Sequence, residues 1–332
     1  MSFSRIFTLM ACLVLSCLSL TAQTTFATIT GTVTDPAGAT VPNATITATH
    51  LQSNYRYTTK SNEAGNYALP QLREGEYQIK AGAQGFNEFV SQNLQMMARD
   101  VRRIDIRMEL GAVASKIDVT TEVALIETET TRIGDTRGAE ALKSLPLNDR
   151  SMYSFLQQIP GMLVMTGGNA YIRFAGSRGN QENETIDGIS FNNLYDGSLI
   201  GPLADFVESV QEMRVDLANN TSEFGALGQV TLVSKSGTNQ LHGSAFDYYA
   251  TAGLSARNPF ALSRSSYVRH WPGVSVGGPV FLPRIYNGKN RSFFFFSYET
   301  VQGGAVQDLF NPTVPLPSWR QGDFSGLLPG TV

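Results

Sequence analysis

Three histidines, His50, His242 and His270, are all the imidazoles in the chain, and they lie in different segments. No H-E-x-x-H pair and no cysteine cluster supplies the spacing of metal ligands, so the sequence predicts neither a metal nor a cofactor. Lys235-Ser236-Gly237-Thr238 has the composition of a phosphate loop, but the G-x-x-x-x-G-K frame is missing and a strand running into a turn accounts for it. No Gly-x-Ser-x-Gly elbow occurs on which a hydrolytic triad could be built. The chain is therefore expected not to be an enzyme, with no catalytic residues.

Two groups of residues could do other work. Arg178, Asn180, Gln181 and Asp187 fall on or beside a glycine-bearing loop, Gly176 to Asn183, that could face an incoming ligand. Asp187-Gly188 is equally the chemistry of a tight turn, and Arg178 could serve as an ion-pair partner. Lys116-Ile117-Asp118-Val119-Thr120 alternates as a short strand, and Phe293 to Phe296 reads as a packed strand rather than an aromatic cage.

The elements that must hold these residues are mostly strands. Charged residues make up only 16% of the chain and aromatics 10%, with 31 glycines, which favours an all-β or barrel-like protein. The net charge of -3 comes with scattered Lys and Arg, so nucleic acid is not an expected partner. From Thr28 apolar and polar residues alternate with period two between turn residues: Ile29, Gly31 and Val33, then Ala44, Ile46 and Ala48, then Tyr77, Ile79 and Ala81. Ile104, Ile106, Met108 and Leu110 predict a last strand, closing a sandwich of six or seven strands. Beyond a Thr-, Val- and Glu-rich linker the signals become mixed. Asp149 can cap a helix carrying Met152, Phe155, Leu156 and Ile159, Tyr171 to Phe174 reads as a strand, and strands are expected at Glu212 to Asp216 and Gln229 to Lys235. Leu241 to Thr251, Val268 to Gly278 and Arg291 to Thr300 each have the length of a transmembrane β-strand, which needs about 9 to 11 residues. On these, Phe246, Tyr248 and Ala250 share a face, as do Val274 and Val276, and Phe294, Phe296 and Tyr298.

The N-terminus reads as an export signal. Arg5 precedes Ile6 to Leu20, fifteen largely apolar residues, short against the roughly 20 of a spanning helix. Cleavage is expected after Ala22, or alternatively near Ala27. Cys17 as a lipoprotein cysteine would need a small residue where Leu15 stands. Both cysteines, Cys12 and Cys17, lie in this segment, so the mature chain is expected to have no thiol chemistry.

ITGTVTDPAGATVPNATITAT, SNEAGNYALPQLREGEYQIKAGAQGF and IDIRMEL resemble the carboxypeptidase regulatory-like, transthyretin-type sandwich, which implies a binding or spacer module. LNDRSMYSFLQQIPG, GSRGNQENETIDGISFNN, ESVQEMRVDLANNTSEFGALGQVTLVSKSGTNQLHGSAFDYY, GGPVFLPRIYNGKNRSFFFFSYE and QGDFS resemble the plug and early barrel of Oar-like TonB-dependent receptors. The resemblances imply a mainly β chain: a signal peptide at 1–22, a sandwich at 27–110, a linker at 111–137, a small α+β plug at 138–238, and the first strands of an incomplete transmembrane barrel at 239–332. They imply an outer-membrane location with a periplasmic sandwich, TonB with ExbB and ExbD as energy-coupling partners, outer-membrane lipid around the strands, and active uptake of an unknown small-molecule, oligosaccharide or peptide ligand. Lys116 to Thr120 would then be the segment that pairs with TonB, or else a linker strand completing the sandwich. A rival of a different class is an exported carbohydrate-binding or adhesive sandwich on a passive membrane anchor, with Tyr55, Tyr57 and Phe86 as stacking rings. Three strands cannot close a barrel, so the chain is expected to be the N-terminal part of a longer reading frame or a degraded copy of one.

Overall fold

The computed structural model describes residues 25–111, 116–118, 130–144, 152–165, 171–178, 181–192, 206–219, 225–257, 267–305 and 316–325. The export segment and Asp149 lie outside these residues. The chain divides into two compact units, Met1–Ser244 with Val274–Tyr298, and Ala245–Gly273 with Glu299–Val332.

The sandwich is built from β1 (Ala27–Thr34), β2 (Thr45–His50), β3 (Arg56–Lys60), β4 (Asn66–Leu72), β5 (Gly75–Gly82), β6 (Glu88–Met96), β7 (Val101–Arg103), β8 (Ile106–Arg107) and β9 (Lys116–Asp118). One sheet runs β3-β2-β5-β6-β9 and the other β4-β1-β7, with β8 also on β1. The period-two pattern does what it predicts. Ile29 and Val33, Ala44 to Ala48, and Tyr77 to Ala81 point into a single apolar core, where Ile46 and Ile79 are fully buried. Each such side chain contributes about 1.5–3 kcal/mol by leaving water.

The expected last strand is broken. Asp105 accepts hydrogen bonds from the Thr32 N–H (2.9 Å) and Thr32 Oγ1 (2.8 Å), replacing ladder bonds between β7 and β8. Ile104, Ile106 and Met108 are buried as expected, but the chain then leaves the sheet and Leu110 is exposed, bridged only to Phe86. Gly31 passes directly under the Ile104 carbonyl, with no room for a Cβ.

A five-stranded mixed sheet follows, in the order β10 (Ile133–Gly138), β15 (Val210–Ala218), β16 (Gly228–Ser234), β13 (Glu182–Ile186) and β14 (Ile189–Ser190). Between these lie helix α1 (Ala139–Ser144), helix α2 (Met152–Leu156) and the hairpin of β11 (Met162–Met165) with β12 (Tyr171–Phe174). Met213, Val215, Val230 and Leu232 pack against Leu142, Phe155, Leu156, Ile159 and Phe174. The helix expectation around Phe155 and Ile159 is thus met by a short helix and a turn. The linker expected over 111–137 is shorter than read: Ile133–Gly138 pairs antiparallel with β15 and belongs to this sheet. Its sequence, IGDTRG, has no apolar alternation, and Asp135 and Arg137 pair with each other along the strand (2.8 Å).

The remaining strands are β17 (His242–Thr251), β18 (Tyr267–Pro279), β19 (Phe281–Leu282), β20 (Tyr286–Asn287), β21 (Phe293–Glu299) and β22 (Gln302–Ala305), followed by helix α3 (Pro317–Arg320). The long strands lie in the order β17-β18-β21, and the small β19-β20 hairpin sits between β18 and β21 where the short Asn287-Gly288 turn was expected. The described residues contain no closed barrel and no helix long and apolar enough to cross a membrane.

Candidate functional site

One carboxylate links the five-stranded sheet to strands β17 and β18. Glu208 sits in a single helical turn, Val207–Ser209, immediately before β15, and is almost completely buried. Its Oε1 lies 3.2 Å from Lys143 Nζ of α1 and 3.2 Å from Lys235 Nζ at the end of β16. The same oxygen accepts from Ser244 Oγ of β17 (3.2 Å) and Ser275 Oγ of β18 (3.4 Å), while the two hydroxyls bond each other at 2.8 Å. Burial opposes ionisation of Glu208, but Lys235 and Lys143 overcome it and hold the carboxyl below its ordinary value. Lys235, with its amine also on the Glu208 carbonyl, is held below the usual lysine value by burial.

The strands show two unlike faces. On β21 the burial alternates, so that Phe294, Phe296 and Tyr298 are exposed at 38%, 55% and 58% while Phe293, Phe295 and Ser297 are half-buried. Val274 of β18 is exposed as well, on the opposite parity to buried Ser275. In the second unit Phe246 lies against Gly273 and near Tyr248, while Tyr249 stacks on His270 at 4.7 Å and His270 Nδ1 meets Asp247 at 3.1 Å.

A cavity of about 790 Å³ opens beside Glu208, lined by His50, Glu74 and Gln95 of the sandwich and by Lys143 of α1, Gln211 of β15 and Lys235 just after β16. His50 is fixed by Ser53 Oγ on Nδ1 (2.7 Å) and faces the Glu74 carbonyl with Nε2 (3.2 Å), and burial lowers its pKa. This is the geometry of a packed histidine. No cluster of metal-ligating side chains occurs among the described residues.

Of the described polar residues singled out from the sequence, Arg178 and Gln181 meet each other while Asp187 is engaged in a turn. Asp187 (φ 51°) and Gly188 (φ 84°) make the left-handed pair of a tight hairpin turn. The Asp187 carboxylate is committed to Ser234, accepting its N–H at 2.9 Å and its hydroxyl at 2.6 Å. Arg178 and Gln181 are exposed, and the Arg178 N–H donates to Gln181 Oε1 at 3.3 Å. Asn180 lies outside the described residues. Lys116–Asp118 pairs in parallel with Glu88–Val90 as the edge strand of the sandwich, while Val119 and Thr120 lie outside the described residues. Among the sandwich aromatics, Tyr55 donates to the Arg291 carbonyl (2.6 Å) and packs edge-on to Phe293, and Tyr57 and Phe86 pack on the sandwich core.

The comparisons bear on these parts separately. Residues 28–109 match the carboxypeptidase regulatory-like domain, and residues 233–331 match the outer membrane beta barrel domain. The chain is 23% identical over 279 residues to the TonB-dependent transporter Oar of Myxococcus xanthus, covering 78% of this chain. Over most of its length the chain thus resembles an Oar-type transporter sequence. It spans about a quarter (26%) of the length of that curated relative. Solved structures with some likeness include a hydroxyquinol 1,2-dioxygenase from Pseudomonas putida (13% identity, 28% of this chain and 59% of that one, TM-score 0.23). A group B streptococcus pilus backbone protein is another (15% identity, 26% and 41%, TM-score 0.21). Likenesses of that size say nothing of activity.

Sequence reading missed the Glu208 hub. Lys143, Glu208 and Lys235 are far apart in the chain, and each alone reads as a solvated charge.

Proposed function

We propose that this chain is the N-terminal part of an outer-membrane receptor that takes up its ligand actively, with energy delivered by TonB together with ExbB and ExbD. The observation that carries this is the two-faced sheet: Ser244 and Ser275 turn inward to Glu208 of the plug, while Phe294, Phe296 and Tyr298 present bare rings on the other side. A strand with a polar inner face and an unpartnered aromatic outer face is suited to lipid. The plug occupies the lumen, its Arg178, Asn180, Gln181 and Asp187 region meets the ligand, and the sandwich hangs in the periplasm after removal of residues 1–22. The ligand is a small molecule, oligosaccharide or peptide.

Lys116 to Thr120 is the coupling segment in this reading, because edge-on strand addition draws its affinity from main-chain hydrogen bonds and tolerates varied side chains. Val119→Pro removes a ladder donor there. In the receptor it is expected to abolish energised uptake while surface ligand binding survives. Undiminished uptake places coupling elsewhere, and a protein that fractionates away from the outer membrane removes the receptor reading altogether.

A further inference from the structure

Strand β15 carries Met213, Val215 and Leu217 into the plug core, so its other face carries Glu212, Arg214 and Asp216. Such a face is ordinarily solvated, yet these three are only 2%, 5% and 1% exposed. The sandwich loop between β6 and β7 covers them. Both main-chain groups of Ala98 are used: its N–H donates to Glu212 Oε1 (2.9 Å), and its carbonyl accepts from Arg214 Nη1 (2.8 Å). Arg214 Nη1 also reaches Asp100 (2.9 Å), Arg99 Nη1 reaches Asp216 (2.6 Å), and Arg132 donates to the Arg99 carbonyl (2.8 Å). The loop is preshaped by the sandwich itself, through Arg99 N–H to the Thr25 carbonyl (3.0 Å), Thr28 N–H to the Asp100 carbonyl (2.7 Å) and a left-handed Arg99 (φ 61°).

We propose that this loop is a reversible clasp by which the sandwich docks on plug strand β15 beside the 790 Å³ cavity that both modules line, so that release of the clasp separates the walls of that cavity and frees the plug sheet on that side. The chemistry of the contact is the reason for reversibility. An apolar interface, once opened, leaves sticky surface on both partners. Here separation leaves charged groups that water solvates well, and each partner keeps its own apolar core. The closed state in turn depends on every partner being present, because a buried charge that loses its counter-charge is strongly unfavourable. The clasp does not depend on the uptake reading; it concerns only the sandwich and the plug.

The test uses the whole mature chain in detergent, which has no cysteine after residue 17. Spin labels at Glu63→Cys on an exposed sandwich turn and Ser144→Cys at the exposed end of α1 report the separation, and amide exchange reports folding. A single narrow distance is expected for the parent protein. Arg214→Met, a change on the plug side only, is expected to shift the docking equilibrium by about a hundredfold, giving a broad, longer distance. Amide protection in Thr45–His50 and Gly75–Gly82 should stay unchanged. Arg99→Met, from the sandwich side, should do the same. A narrow distance retained in both variants overturns the clasp. Loss of sandwich protection in Arg214→Met also overturns it, because the two modules would then be one folding unit rather than docked partners.

Discussion

Arg99 of the sandwich donates to Asp216 of strand β15 at 2.6 Å, and the two side chains are 5% and 1% exposed, so neither charge has water to fall back on. Asp216 is shared, since its other oxygen accepts from Arg214 Nε at 3.2 Å. Pairs this deep add little over an apolar contact, but breaking one is costly.

Asp216→Ala should therefore destabilise the mature chain by about 3–5 kcal/mol, leaving Arg99 and Arg214 with one acceptor fewer. The double change Arg99→Met with Asp216→Leu should cost less than the sum of the single changes. Denaturant unfolding of the four proteins measures this; strictly additive effects would mean that the pair is not coupled.

Stability should fall with rising pH through Glu212. Burial pushes its carboxyl up to about 8 from 4.5. Below 4.5 both folded and unfolded states hold the proton. Between 4.5 and about 8 the unfolded chain ionises while the folded chain keeps its proton, so stability declines across that window and levels off above it. Glu212→Gln keeps an oxygen for the Ala98 N–H and should flatten this part of the melting-temperature profile. An unchanged slope in the variant assigns it to another group.

Glu208 behaves in the opposite sense. Its folded value is depressed, with Lys235 and Lys143 outweighing burial, so its stabilisation is present above the ordinary carboxyl value and is lost as pH falls through the depressed one. Glu208→Gln should remove that acid-limb loss and loosen Lys235, which becomes more reactive towards amine acylation at neutral pH. Equal labelling of Lys235 in both proteins would disprove the hub.

The outer face of β21 should be lipid-facing. Phe296→Arg is expected to cost about 2–4 kcal/mol if the site lies near the bilayer centre, reducing membrane insertion. Parent protein should pellet without detergent, because bare rings and strand edges have nothing to cover them. A soluble, monodisperse parent chain would rule out the membrane assignment of these strands.

Gly31→Ala tests the sandwich. A Cβ there meets the Ile104 carbonyl and the Tyr67 ring, so β1 and the β7–β8 connection must separate. A loss of about 1–3 kcal/mol is expected in the unfolding of the sandwich. Full stability in the variant would mean that the connection is free to move.

Alternation of apolar and polar residues was enough to place most sandwich strands, because a two-layer core reads directly as period two at Ile29, Ile46 and Ile79. The same rule put Phe294, Phe296 and Tyr298 on one face, and Asp187-Gly188 announced its turn through backbone chemistry alone. It failed at β6, where a bulge opposite Tyr77 and Ile79, with left-handed Asn93, spoils the alternation of EFVSQNLQM. It failed at β10, an edge strand held by main-chain pairing to β15 rather than by apolar side chains. The charged faces could be recognised only in three dimensions. Glu212, Arg214 and Asp216 alternate as a solvated face does, and nothing local marks them for burial. Only the docking of Ala98, Arg99 and Asp100 against them supplies the opposite charges and excludes the water, and Glu208 likewise acquires its lysines and serines from four separate parts of the chain.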